Sequence, residues 1–345
     1  MFKKLLAILL ACLMIPCGLA LAEAEALTSG DFEYTLNGDG SATITNYNGE
    51  ADAVTIPAEL DGHPVTAIGD YAFSVNYSLT SITFPDSLRS IGMCAFFQCE
   101  SLTGLTLPEG LASIGTSAFD GCFALTEIVI PGSLSSIDPS AFAYCESLTS
   151  VTISDGVTSI GDAAFYRCLS LTSVTIPDSV TSIGNSAFAD CTSLSSISIP
   201  DSVASIGMNP FEYCIQLRQI NVSPNHPTLE TIDGVLFDKT TGTLICYPCA
   251  FTGESYAVPE GTESIGVCAF ANCDSLAAIV IPDGVTTIGD DAFFSCDSLA
   301  AIVIPDSVTS IGDDAFANCD SLTLTVSQGS YAEAYAAENE IPYTC

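Results

Sequence analysis

The chain has no tryptophan and few basic residues. Its 345 residues hold 6 Lys plus Arg against 41 Asp plus Glu, a formal net charge of −35. Nucleic acids and anionic membranes are recognised through basic surfaces, so the sequence predicts neither as a partner. The two histidines, His63 and His226, each precede proline, and neither has an acid or nucleophile at an equivalent position. No catalytic triad is predicted, and we expect no enzyme activity.

The chain also has a single long apolar run, which lies at the N-terminus. The basic segment MFKK precedes apolar residues 5–21, and Ala20-Leu21-Ala22 forms a small-x-small cleavage site. This pattern predicts a cleaved export signal over residues 1–22. A lipobox-like segment ending at Cys12 leaves lipidation as the alternative. No later run could span a bilayer, so we expect a secreted or surface-associated protein without membrane insertion.

A repeat of 23 residues dominates the rest of the chain. A phenylalanine, which follows alanine everywhere except at Phe211, recurs at Phe73, Phe96, Phe119, Phe142, Phe165, Phe188 and Phe211, and again at Phe270, Phe293 and Phe316. A unit this short cannot bury its apolar side alone and must stack on its neighbours. The sequence therefore predicts a solenoid of about ten coils rather than two compact domains.

The pattern within one unit predicts the path of a coil. Val174 and Ile176 alternate with Thr175, which is typical of a half-buried strand, and Pro177 ends it. The segment VTSI returns to the core, and NSAFADC is predicted to form a short helical or 3₁₀ piece. The predicted fold class is an α/β leucine-rich-repeat solenoid with a parallel sheet on one face.

Three segments break the period and set the predicted boundaries. A β-hairpin with its turn at residues 37–40 predicts an N-terminal cap, and a second hairpin turns at residues 239–242. Ser330 and Glu333 form a capping box, which predicts a C-terminal helix. The predicted parts are the signal (1–22), the hairpin cap (23–56), repeats (57–220), a repeat with the hairpin insertion (221–262), repeats (263–327) and the capping helix (328–345).

The unit LTSVTIPDSVTSIGxxAFxxC resembles the BspA-like leucine-rich repeats of bacterial surface proteins. The segments IPAELDGHPVTAIGDYAF, DGVLFDK and GSYAEAYAAENEIP are also similar to accessory segments of that family. The resemblance covers nearly all of the chain after the leader. It implies a curved or twisted solenoid with a parallel sheet, extracellular or surface placement and, as in some members, adhesion to host matrix proteins or other microbes.

Nine of the 16 cysteines keep the repeat spacing. This cysteine ladder comprises Cys99, Cys122, Cys145, Cys168, Cys191, Cys214, Cys273, Cys296 and Cys319. Parallel side chains one strand spacing apart do not face each other as a disulfide requires, so buried free thiols are predicted. Cys246 and Cys249 form a lone CxxC, for which a structural role or a local disulfide is favoured over a metal or redox site. Cys345 could pair between molecules.

Acidic residues also recur at equivalent positions, as at Asp274, Asp297 and Asp320, and at Asp290 and Asp313. Turn and cap preferences explain them, and no cofactor is predicted. Weak Ca²⁺ binding by these oxygens stays open as the alternative, since carboxylates are calcium ligands.

The outward positions of the predicted strands are the candidate binding surface, although strand propensity alone is the favoured explanation for threonine at such sites. They are Thr83, Thr106, Val129, Thr152, Thr175, Ser198, Asn221, Val280 and Val303. The 36-residue insert, with Tyr247, Phe251 and Tyr256, is a second candidate surface, but a local hairpin that packs on itself is the favoured interpretation. We predict a non-enzymatic binding or adhesion protein with protein ligands on host or microbial surfaces. An acidic structural protein and a non-catalytic module of a larger surface assembly remain alternatives.

Overall fold

Each 23-residue unit forms one coil with two short strands in a computed structural model, which describes residues 26–251 and 253–345. About 13 coils stack along the solenoid. This exceeds the predicted ten, because the irregular coils near the hairpins lack the Ala-Phe pair by which the repeat was recognised. The predicted signal and the lipidation alternative at Cys12 lie outside the described residues.

The first strand of each coil contributes to a row of parallel strands, as predicted. Neighbouring coils pair in register, for example Val151 with Val174 and Thr152 with Thr175. In most of these strands, exposed and buried side chains alternate. The row comprises β4 (Ala53–Thr55), β7 (Ser81–Thr83), β9 (Gly104–Leu105), β11 (Glu127–Ile130), β13 (Ser150–Ile153), β15 (Ser173–Thr175), β17 (Ser196–Ile199), β19 (Gln219–Val222), β23 (Ser255–Ala257), β25 (Ala278–Val280), β27 (Ala301–Val303), β29 (Thr323–Thr325) and β30 (Tyr343–Thr344).

A second row of parallel strands runs along another side of the coil, where the sequence predicted only a return to the core. The short strands pair in register from coil to coil, as Ile160 does with Ile183. The row comprises β6 (His63–Ile68), with β5 (Glu59–Leu60) beside it, then β8 (Ser90–Ile91), β10 (Ser113–Ile114), β12 (Ser136–Ile137), β14 (Ser159–Ile160), β16 (Ser182–Ile183), β18 (Ser205–Ile206), β24 (Ser264–Ile265), β26 (Thr287–Ile288) and β28 (Ser310–Ile311).

The predicted helical or 3₁₀ pieces are chains of turns instead. In one coil the amides of Phe97 and Cys99 donate to the carbonyls three residues earlier at 3.1 and 3.2 Å. The alternate amides of Cys94, Phe96 and Gln98 donate to the next coil at 2.7–3.0 Å. Cys94 and Gln98 have left-handed backbone, with φ of 52° and 55°. In a helix these amides would donate to carbonyls a few residues earlier. Here they donate to the next coil instead, so no helix forms.

The phenylalanines stack in the core as the period predicted. Successive rings lie 4.9–6.0 Å apart, and Phe96 and Phe119 are almost parallel, at 3°. Burying each ring contributes roughly 1.5–3 kcal/mol before the loss of entropy is counted. The core forms two clusters, one in the first stack of coils (residues 53–222) and one in the second stack (residues 255–325).

The N-terminal hairpin unit begins the first stack. It consists of antiparallel strands β1 (Leu27–Ser29), β2 (Phe32–Leu36) and β3 (Ala42–Tyr47), and β3 pairs in parallel with β6. The predicted turn lies between β2 and β3. Tyr47 stacks on Phe73 with ring centroids 5.1 Å apart, so this unit covers the first aromatic ring of the stack.

The internal hairpin unit has the same construction and begins the second stack. Its strands are β20 (Leu229–Ile232), β21 (Val235–Asp238) and β22 (Thr243–Cys246), with the predicted turn between the last two. Strand β22 pairs in parallel with β24, and Tyr247 stacks on Phe270 at 5.1 Å. The insertion is thus a second hairpin unit of the N-terminal kind, placed between the two stacks.

One helix, α1 (Tyr331–Glu338), follows the last coil. The Ser330 hydroxyl accepts from the Glu333 amide at 3.1 Å, which is the predicted N-cap bond. The Glu333 carboxylate accepts from the Gly329 amide at 2.6 Å. Tyr335 packs edge-on against Phe316 at 6.2 Å, so the helix covers part of the last aromatic ring.

Candidate binding face

The strand face is the outward side of the first strand row, and it contains all nine predicted positions. Thr83, Thr106, Val129, Thr152, Thr175, Ser198, Asn221, Val280 and Val303 are all exposed. Register places Val129, Thr152 and Thr175 on one line and pairs Val280 with Val303. The nine residues therefore belong to a single side of the solenoid, although the strand pairing is interrupted between β9 and β11, between β15 and β17, and between β19 and β23.

Three further positions of this line were missed by the sequence analysis. Thr55 pairs with Thr83, Ala257 pairs with Val280, and Thr325 pairs with Val303. Thr55 lies in the segment VTIP, which matches the strand motif of the repeat, so its place could have been found. Ala257 precedes Phe270 by the same spacing that separates Thr175 from Phe188, so it too could have been found, whereas Thr325 lies in a coil without this phenylalanine.

The strand face is almost uncharged in a strongly acidic protein. Among the exposed residues of the first-row strands that the structure describes, Glu127 alone carries charge. Three valines are prominent, with exposed fractions of 57% for Val129, 61% for Val280 and 55% for Val303. The other acidic side chains of the described residues therefore lie outside these strands.

A column of threonines beside the strand face bonds internally. The hydroxyls of Thr103, Thr126, Thr149 and Thr172 each donate to the carbonyl of the threonine one coil earlier, at 3.0–3.3 Å. These hydroxyl protons are already engaged in holding the coils together. Ligand binding in this column would therefore depend on oxygen lone pairs and methyl groups.

A groove opens in the strand face where a side chain is missing. Gly104 occupies the position held by Ser81 and Ser150 in other coils, and a groove of about 480 Å³ lies over it. Leu105 and Phe84 are among the lining residues, together with the carboxylate-bearing Asp86 and Glu127. Thr83 and Thr106 of the predicted surface also line it.

The two histidines lie in unrelated places. His63 begins strand β6 rather than lying in a loop, and its Nδ1 is 2.9 Å from the Gly40 carbonyl oxygen. His226 is buried, and its Nδ1 accepts from the amides of Thr228 and Leu229 at 3.3 and 3.0 Å. Burial lowers the pKa of His226. Neither ring hydrogen-bonds to a carboxylate or hydroxyl within the described part of the chain.

The cysteines are free throughout the described residues, as predicted for the ladder. Cys122, for example, is buried and donates its thiol proton to the Phe96 carbonyl at 3.4 Å. Burial raises the pKa of this thiol well above its usual range. The CxxC cysteines pack in different clusters, since Cys246 belongs to the first and Cys249 contacts the second.

Asp290, one of the recurring aspartates, and Asp162 bond to the backbone of the next coil. Asp290 Oδ1 accepts from the Asp313 amide at 2.9 Å, and Asp162 Oδ1 accepts from the Asn185 amide at 2.8 Å. Burial, and then the charge of Asp297, raises the pKa of Asp274. No group of three or more potential ligands that could hold a metal ion occurs among the described residues, and calcium binding stays a prediction.

The aromatic residues of the insert do not form a surface. Tyr247 and Tyr256 are both buried, and their rings contact each other at 5.2 Å and pack near Phe270. The two tyrosines therefore contradict the candidate binding surface and agree with the favoured interpretation, in which the insert packs locally. Tyr247 stands 23 residues before Phe270 and takes the place of a ladder phenylalanine.

Comparisons with known proteins agree with this architecture. The family model described as BspA type leucine-rich repeat region matches residues 66–192, 137–252 and 246–335. A leucine-rich cell surface protein of Faecalibacterium prausnitzii A2-165 is 35% identical, with a TM-score of 0.73 over 92% of this chain and 98% of that one.

Two other solved structures are similar. The leucine-rich repeat protein TpLRR of T. pallidum is 35% identical over 56% of this chain and 91% of that one, with a TM-score of 0.53. The pneumococcal vaccine antigen PcpA is 22% identical over 88% of this chain and 82% of that one, with a TM-score of 0.60, which supports the fold alone. Comparison with curated proteins gives no match. Within the described residues, no helix has both the length and the apolar character to cross a membrane.

Proposed function

Because this chain belongs to the BspA-type leucine-rich repeat family, we propose that it is a non-enzymatic, exported protein that binds other proteins through its strand face. The structural neighbour from F. prausnitzii is described as a cell surface protein. The predicted export signal supports the same location for this chain. The partners we propose are proteins on host or microbial surfaces.

The observation that carries this proposal is the contrast between the strand face and the rest of the surface. A chain with a net charge of −35 leaves a regular array of threonine, serine, alanine and valine almost free of charge. Acidic residues are depleted at protein–protein interfaces relative to other surfaces, because removing their water is costly. A protein partner can cover this array without burying unpaired carboxylates.

We expect the exposed valines to contribute most to the free energy of binding. Val280 and Val303 are adjacent in register and both more than half exposed. Covering an apolar side chain contributes roughly 25 cal/mol per Å². The face has no aromatic side chain at these positions, so we expect many small contributions rather than one dominant residue.

The absence of a hydrolytic arrangement in the described contacts supports a non-enzymatic role. His63 and His226 bond to backbone atoms, and burial raises the pKa of the Cys122 thiol well above its usual range.

The test is binding of the chain without its leader to immobilised extracellular-matrix proteins and bacterial cell envelopes. We expect saturable binding that weakens at least tenfold when Val280→Lys and Val303→Lys are combined. Thr286→Lys with Thr309→Lys is the matched control, because these exposed residues immediately precede β26 and β28 of the second strand row and receive the same charge. Equal binding by both double variants would remove the strand face from the proposal.

A further inference from the structure

Eight of the nine cysteines in the cysteine ladder make the same contact. Each thiol donates to the carbonyl of the phenylalanine one coil earlier, with sulfur–oxygen distances of 3.0–3.4 Å. This bond satisfies the buried thiol and fixes its direction along the stack.

Cys273 is the one cysteine of the cysteine ladder that does not make this contact. Its sulfur lies 3.9 Å from the Tyr247 carbonyl oxygen, which is the equivalent acceptor. It lies only 2.8 Å from the sulfur of Cys249, closer than any donor–acceptor distance in the other eight rungs. Cys273 therefore meets another sulfur where its counterparts meet a carbonyl.

The register of the internal hairpin unit explains this pairing. Tyr247 occupies the phenylalanine position, and the ladder cysteine should follow three residues later, where the chain has Ala250. Cys249 comes one residue early, after Pro248, and so leaves the parallel column. A parallel arrangement keeps thiols from facing each other, and this shift removes that restriction.

We propose that Cys249 and Cys273 form a disulfide that fastens the internal hairpin unit to the first regular coil of the second stack. The oxidant is the disulfide of an exported thiol–disulfide oxidoreductase or of a small oxidised thiol. The Cys249 thiolate attacks that disulfide and releases one thiol. The Cys273 thiolate then attacks the Cys249 sulfur and releases the second, so two protons and two electrons leave the protein.

Accessibility sets the order of these steps. Cys249 is partly exposed, whereas Cys273 is fully buried, and burial raises the pKa of Cys273 well above its usual range. The exposed thiol therefore meets the oxidant first, and the buried thiol resolves the mixed disulfide. This inference rests on the exported location in the proposed function, but neither thiol lies on the strand face.

The experiment counts thiols in the leaderless chain after incubation with oxidised glutathione. The chain is then denatured and alkylated with N-ethylmaleimide, and its intact mass is measured. We expect twelve of the fourteen cysteines beyond the leader to be alkylated, and all fourteen after reduction. The melting temperature should rise by roughly 5–10 °C on oxidation, since the cross-link restricts the unfolded chain.

Two variants identify the pair. Cys249→Ser should leave all thirteen remaining thiols open to alkylation after oxidation. The matched control Cys246→Ser removes the neighbouring cysteine of the CxxC and should still lose two thiols. Alkylation of all fourteen thiols in the oxidised parent, or loss of the cross-link in the Cys246 variant, would overturn the proposal. The proposed binding is measured separately on the reduced chain, so the two can fail independently.

Discussion

The N-terminal and internal hairpin units have one construction but different neighbours. In each, the last strand pairs in parallel with the second strand row and a tyrosine stacks on the next phenylalanine. Register makes Glu33 and Asn46 of the first unit equivalent to Leu236 and Cys246 of the second. The polar pair stands at the end of the solenoid, and the apolar pair is buried between the stacks.

The difference shows how the same hairpin serves as an end or as a joint. In the internal unit, Leu236 and Cys246 join the first core cluster, while Phe237 and Leu244 join the second. Strands buried on both sides are apolar throughout, which explains the runs VLF and LIC. At the N-terminus one side remains partly open to solvent, so polar residues alternate with apolar ones.

Leu236→Glu places in the internal hairpin unit the residue that the N-terminal hairpin unit has at the equivalent position, Glu33. This change should have the largest effect on stability. Leu236 is fully buried, and a carboxylate there has no partner. We expect a loss of about 5 kcal/mol in the free energy of unfolding. Urea unfolding followed by circular dichroism measures it. The reciprocal Glu33→Leu should change stability by less than about 1 kcal/mol, and comparable losses would show that the two environments do not differ.

Phe142→Ala and Phe293→Ala test whether the two stacks respond alike. Both rings are fully buried between neighbouring rings, so each change should cost about 3–5 kcal/mol. In a repeat protein each coil contacts chiefly its neighbours, and the loss of hydrogen-exchange protection should centre on the mutated stack. Loss spread evenly over both stacks would mean that the internal unit couples them fully.

His226→Asn is expected to have the smallest effect, confined to acid pH. Burial lowers the pKa of His226, so protonation favours the unfolded chain. The contribution of neutral His226 to the free energy of unfolding is fully present above a pH of about 6.5, the pKa of histidine in an unfolded chain. It is lost as the pH falls through the lower pKa of the folded protein. Asn keeps an acceptor for the Leu229 amide but does not titrate. The variant should lose less stability than the parent between pH 7 and pH 5 in thermal melts, and an unchanged pH dependence would contradict this.

The regular coils could be predicted from the sequence because their signals repeat. The 23-residue step placed Phe188 in the core and Thr175 on the strand face, since each position copies its neighbour one coil away. The turns around Cys94 could not be predicted as non-helical. Their amides donate to the next coil, and a local pattern does not reveal a bond between residues 22 positions apart.

The internal unit shows where sequence reasoning fails for another reason. Tyr247 and Tyr256 are candidate surface residues in the sequence because they fall in the insert, where the regular series of phenylalanines is interrupted. Tyr247 stands at the position where the repeat has phenylalanine, but the residue is a tyrosine, so the repeat is not apparent there. It is buried because its ring stacks on Phe270 of the next coil. The short contact between Cys249 and Cys273 depends on a one-residue shift that spacing alone does not reveal.

The most direct test of the central claim is cross-linking from the strand face. A photoreactive side chain at Val303 should capture a protein partner from the matrix proteins or cell envelopes used above, and the same group at Thr309 should not. Capture from Thr309 with none from Val303 would place the contact on another side of the solenoid and contradict the account.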